Sequence, residues 1–136
     1  MPSVSQIEDN RGMDKKDKQL FFIASSLGDL RDFPDEVGRV MGFALYEAQR
    51  GAKHPAAKPL KGFGGASVLE ICRNYDGDTY RGIYTVRFTD VVYVLHVFQK
   101  KSKHGARTPQ ADIDLVRKRL REAEEDYAQR PLEAKR

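Results

Sequence analysis

The chain has 136 residues, a formal charge of +4 and a pI near 9.2, which suits one domain and favours an acidic partner, either nucleic acid or an acidic protein. Its apolar runs fall far short of the roughly 20 residues that cross a bilayer, and its start lacks a secretion signal, so a soluble cytoplasmic protein with no membrane partner is expected. The lone cysteine, Cys72, can form no internal disulfide and, between Ile71 and Arg73, reads as a small core residue.

Residues 1–17 are polar with mixed charges and no sustained periodicity, as expected of a mobile leader outside the fold. The domain is expected over 18–128, with a short tail over 129–136. Leu20-Phe-Phe-Ile-Ala24 suits a buried strand, and Ser25-Ser26 offers caps for a short helix carrying Leu27, Leu30 and Phe33. From Pro34 the apolar residues Val37, Val40, Met41, Ala44, Leu45 and Ala48 recur at helical spacing, with Gly51 as a stop. The stretch from His54 to Gly65, rich in proline and glycine, reads as a loop.

Three β-like runs follow, Ser67 to Asn74, Thr79 to Phe88 and Val91 to Gln99. Their joins are so short that neighbours must run antiparallel. Thr108 supplies a capping hydroxyl and Pro109 a first helical position for a terminal helix with Ile113, Val116, Leu120, Ala123 and Tyr127 on one stripe. The expected architecture is α+β: an antiparallel sheet made of an N-terminal strand and a three-stranded meander, packed with an α-hairpin and a C-terminal helix.

From Val91 to Ala111 there are four Lys or Arg residues and no Asp or Glu. Arg81 shares one strand face with Ile83 and Thr85, while Tyr80 and Tyr84 share the other. Arg81, Lys61, Lys100, Lys101, Lys103 and His104, extended by Lys58 and Arg107, make a candidate grip on phosphates. Tyr80, Tyr84 or Phe98 would stack on a base.

The same set suits RNA cleavage. RNA carries its own nucleophile, the 2′-hydroxyl, so the protein need supply only a base, an acid and cations for the charged phosphorane. His104 or a lysine of lowered pKa suits proton transfer, and Arg81 suits the developing charge. Plainer readings stand beside these. The lysine run also suits a solvated loop, His96 a hydrogen-bonded structural histidine, and Arg81 an ion pair with an acid such as Glu70 on its neighbour strand. No cofactor is expected, because three histidines and one cysteine lack zinc-site spacing and neither a phosphate-binding glycine loop nor a nucleophile elbow is present.

Lys58-Pro-Leu-Lys61, Val68-Leu-Glu-Ile71, Tyr80-Arg-Gly-Ile-Tyr84-Thr-Val-Arg-Phe88 and Tyr93-Val-Leu-His-Val-Phe-Gln-Lys-Lys-Ser102, with Thr108-Pro109, together resemble the RelE/HigB-like toxin family in its phage-derived branch. The resemblance spans about Lys18 to Glu122. It implies a microbial-RNase-like domain made as a toxin and neutralised by an antitoxin, often a helix-turn-helix protein. The activity it implies is metal-independent cleavage of mRNA, typically on the ribosome. By position it places Arg81 at the scissile phosphate, Lys61 in the basic loop before the meander and Lys100 or Lys101 at the end of the last strand. It sets His104 where some relatives transfer a proton. Gly82 stands where a larger apolar residue is usual, a change expected to loosen local packing. Two other functions compete: a ParE-like inhibitor of DNA gyrase, which shares the fold without the catalytic basic set, and a nucleic-acid-binding module without chemistry.

Overall fold

The computed structural model describes residues 17–100 and 107–130. In chain order they form β1 (Gln19–Phe22), α1 (Ser26–Arg31), α2 (Asp35–Gln49), β2 (Ala57–Pro59), β3 (Val68–Tyr75), β4 (Asp78–Thr85), β5 (Val91–Lys100) and α3 (Gln110–Ala128). The strands make one five-stranded sheet in the order β1-β5-β4-β3-β2. The fold is therefore α+β, as the sequence patterns indicate. Among the described residues no helix is long and apolar enough to cross a membrane.

The meander β3-β4-β5 is antiparallel, and its first turn carries Asp76 at φ 52° and Gly77 at φ 85°. Two successive left-handed residues match the right-handed strand twist, which is why an Asp-Gly pair closes this hairpin tightly. The sheet as a whole is mixed, because β1 runs parallel to β5. No short turn joins these two strands, so nothing local dictates their direction. The proline-rich loop also hides β2, three residues paired to β3 with Ala57 buried. Pro59 is tolerated there because β2 is an edge strand whose outer side needs no ladder hydrogen bond.

Alternation along the strands divides the core into two layers, so helices cover both faces of the sheet. Val37, Met41, Ala44, Leu45 and Ala48 of α2 pack with Leu69, Ile71, Tyr80, Tyr84, Val92 and Val94. Val116, Leu120 and Ala123 of α3 pack with Val68, Ile83, Val91, Tyr93 and Leu95 on the opposite face. Each fully buried aliphatic side chain in these layers contributes about 1.5–3 kcal/mol. Gly82 lies under α2, and a Cβ there would stand 2.8 Å from the Met41 sulfur. Met41 thus takes the space beside this glycine, and a small apolar void of about 10 Å³ remains among Met41, Leu45, Ile71, Gly82 and Val97.

A break in register falls between Ile83 and Tyr84, opposite His96 and Val94, so Leu95 is an extra residue in β5. Such a bulge bends and twists its strand. The pairing of β1 with β5 ends at Val94, beside this bend.

Candidate functional site

Strand register sets the site. Lys58 lies opposite Glu70, Glu70 opposite Ile83, Arg81 opposite both Cys72 and Phe98, and Lys100 opposite Thr79. Residues directly opposite share a face, as do residues two apart on one strand. Lys58, Glu70, Arg81, Phe98 and Lys100 therefore all lie on the α3 side, the face to which Ile83 contributes its side chain. Glu70 to Arg81 and Arg81 to Lys100 are diagonal neighbours, spaced about 7–8 Å along the backbone. Four strands thus set a cation, an acid and two cations in a diagonal stripe.

At its centre the Arg81 Nη1 donates to Thr108 Oγ1 at 2.9 Å and to the Glu70 oxygens at 3.3 and 3.4 Å. The Thr108 hydroxyl in turn donates to Glu70 Oε2 at 2.5 Å. The Arg81 side chain is 4% exposed and that of Glu70 16%, so the carboxylate is the member of the cluster nearer solvent. The guanidinium–carboxylate contact is long beside the 2.7 Å pairs that Arg73 makes with Glu36 and Arg87 with Glu124. Chemically the cluster combines a proton acceptor, a fixed positive charge and a hydroxyl that bridges them.

His96 lies on the same face, stacked on Phe98 with ring centroids 4.7 Å apart. Its Nε2 meets Asp112 Oδ1 at 2.8 Å, and Arg119 Nη1, which also donates to the Leu95 carbonyl at 3.0 Å, lies 3.4 Å from Nδ1. An arginine can only donate, so these contacts favour a neutral ring whose Nε2–H points to Asp112. Burial, the largest influence, holds His96 below its ordinary pKa of 6.5, and Arg119 acts the same way against the raising effects of Asp112 and Asp29. Above pH 6.5 the ring is neutral in the folded and unfolded chains alike. Below it the unfolded chain takes the proton first, so stability is lost as pH falls through the folded-state pKa. Thermal unfolding from about pH 7.5 down to about 5.5 should show a falling Tm, and His96→Gln should shrink that fall.

The structure brings some of the sequence candidates together and separates others. Arg81, Lys58, Phe98 and Lys100 share the stripe. Arg81 is, however, buried and paired with Glu70 instead of standing as an open clamp, and Lys100 is buried as well. Tyr84 is sealed in the α2 layer, where burial pushes its hydroxyl up to about 12 and leaves it no base to stack on. Tyr80 lies in the same layer, on the opposite face from Arg81, and borders the cleft beside β5. Arg107 is exposed directly before Thr108, and Lys61 is exposed in the loop after β2. That loop is anchored: Leu60 and Phe63 enter the α3 layer, and the Arg117 guanidinium lies 4.6 Å from the Phe63 ring centroid. Gly62, at φ 94°, leaves room for Arg117, whose Nη2 would stand 2.9 Å from a Cβ there. Lys101, Lys103 and His104 lie outside the described residues.

Two further readings are corrected. Cys72 is exposed, since it lies opposite Arg81 at the sheet end away from the apolar α3 layer. Thr108 does not cap α3, which starts at Gln110 with Pro109 before it and no side-chain cap; its hydroxyl is committed to Glu70 and Arg81. Sequence reasoning saw Glu70 only as a possible partner of Arg81 and Thr108 only as a cap. The available signal for Glu70 was an acid in the middle of the apolar run Val68-Leu-Glu-Ile71, a position that is costly unless the charge is used. Among the described residues no group of His, Cys, Asp and Glu side chains could hold a metal ion.

Residues 28–121 match the family described as Phage derived protein Gp49-like (DUF891). No curated protein and no solved structure matches the chain.

Proposed function

Because the chain belongs to the Phage derived protein Gp49-like family, which is associated with the toxins of toxin–antitoxin systems and so implies an antitoxin partner, we propose that it is a RelE/HigB-type toxin that cleaves mRNA without a metal. Translating ribosomes are the proposed setting and growth arrest the consequence. The observation that carries this reading is the diagonal Lys58–Glu70–Arg81–Lys100 on one face of the sheet, with Thr108 bridging its centre.

In the proposed reaction Glu70 accepts the 2′-hydroxyl proton and the 2′-oxygen attacks phosphorus. Arg81 neutralises charge gathering on the phosphorane oxygens, and the 5′-oxygen departs with a proton. The products are a 2′,3′-cyclic phosphate and a 5′-hydroxyl. Lys58, Lys61, Lys100 and Arg107 would hold the backbone and Phe98 would stack on a base. Lys101, Lys103 and His104 stay as candidates for the acid. For Arg81 to meet a phosphate, Glu70 must release it, and the long contacts at 3.3 and 3.4 Å favour that exchange.

The burial of Arg81 favours one other reading, in which the cluster only pins α3 to the sheet and the protein inhibits gyrase in the manner of the ParE-like branch. Induction in a susceptible host separates the two. The RNase reading expects mRNA to shorten within minutes while plasmid supercoiling stays normal. Lost supercoiling with intact mRNA would overturn it.

A further inference from the structure

Beyond Val94, where its pairing with β1 ends, β5 is flanked by α1 and the turn that follows it. Asp29 of α1 lies beside His96, and Phe33 reaches across to Tyr80 with ring centroids 4.9 Å apart. Between that turn and the end of β5 is an open cleft of about 630 Å³. Two aromatic pairs border it, Phe33 on Tyr80 and His96 on Phe98, and Asp29, Asp32 and Asp35 form its wall.

The lining decides what can occupy this cleft. It holds no lysine or arginine, on a chain that is basic overall. Asp29 takes the Ser25 hydroxyl, but among the described residues no cation pairs with Asp32 or Asp35, which are both exposed. Tyr80 is a second, independent pointer to a ligand. It is only 7% exposed and borders the cleft, and its hydroxyl has no hydrogen-bond partner among the described residues. Such a wall repels phosphates, and an apolar side chain would leave the carboxylates without a counter-charge. A guanidinium fits both features: it is flat and stacks on aromatic rings, and its fork of N–H donors engages carboxylates. A lysine ammonium meets the charge but has no flat face to stack.

We infer that this cleft binds an arginine side chain of a protein partner, the guanidinium lying against the aromatic rings with its N–H groups on Asp32 and Asp35. The antitoxin implied by the family is the partner that supplies the arginine. The site rests on that partner and not on RNA cleavage, so either can fail without the other. Phe98 borders the cleft and lies directly opposite Arg81. A partner anchored here sits one strand away from the cationic stripe, where its bulk obstructs RNA.

The test uses the full chain with capped tripeptides in which glycines flank arginine, lysine or citrulline, the last an uncharged shape-match of arginine. NMR shifts of the Gln99 amides and of the Phe33 and Tyr80 ring protons are the readouts. The arginine peptide should move these signals and bind about fivefold more tightly than the lysine peptide, the scale of one stacked cation, and the citrulline peptide should not bind. Asp32→Asn/Asp35→Asn, which alters two exposed residues, should weaken the arginine peptide roughly tenfold, as expected for two peripheral ion pairs. Equal binding of the arginine and lysine peptides, binding of the citrulline peptide, or no shift at Gln99, Phe33 and Tyr80 would overturn the inference. So would the same shifts from an RNA octamer, or shifts without peptide that grow with protein concentration, which would assign the cleft to a nucleobase or to a second copy.

Discussion

Arg81→Ala should lose growth inhibition and RNA cleavage together, and should also lower the Tm by about 10 °C, as a loss of about 3 kcal/mol does in a domain this small. The stability loss follows from burial. The guanidinium is 4% exposed, and its removal strips the Glu70 carboxylate and the Thr108 hydroxyl of their cation. Activity alone therefore cannot say what Arg81 does. Replacing the whole polar cluster can, because a buried ion pair exchanged for apolar side chains of similar volume is often neutral in stability. Arg81→Met/Glu70→Leu/Thr108→Val is expected to recover most of the lost Tm while cleavage stays down by about 10³-fold or more, the scale on which a base and a charge-stabilising donor act. A triple variant that melts like the parent and still kills would make the cluster a structural pin for α3.

Glu70→Gln separates chemistry from binding. The side chain keeps its shape and an oxygen to accept from Thr108 and Arg81, but it can no longer take a proton at the reacting 2′-oxygen. Cleavage should fall by about 10²-fold or more. RNA binding should hold or tighten, because a negative charge has been removed from a surface that meets phosphates. The expected split is a large loss in kcat with KM unchanged or lower. A residue that merely braced the fold would raise KM along with the fall in kcat, and Glu70→Asp, which restores a carboxylate, would not rescue turnover selectively.

The order of elements was legible because hydrophobic period is a strong local signal. Val37 to Ala48 at helical spacing, and the runs either side of Asp76-Gly77, could form little else. What was not legible depended on contacts distant in sequence. The parallel pairing of β1 with β5 joins residues some 70 positions apart. β2 exists only because β3 offers it an edge, and its proline argued locally for a loop.

The site divides along the same line. Strand alternation placed Arg81 on one face and Tyr80 and Tyr84 on the other, and that geometry held. Burial of Arg81 was hidden because it needs Thr108, which is 27 residues away and looks from sequence like a helix cap. Cys72 misled for the converse reason. Ile71 beside it is apolar and buried, as are Val68 and Leu69 earlier in the strand, but the apolar α3 layer does not extend to Cys72.

If the Glu70–Arg81 face drives 2′-hydroxyl attack on RNA, the chemistry of the ends left on mRNA after induction records it. Fragments should carry 2′,3′-cyclic phosphate or 3′-phosphate termini with 5′-hydroxyl partners, and should be absent when Glu70 is glutamine. Fragments bearing 5′-phosphates with free 3′-hydroxyls, or the same fragments from the Glu70→Gln protein, would contradict it.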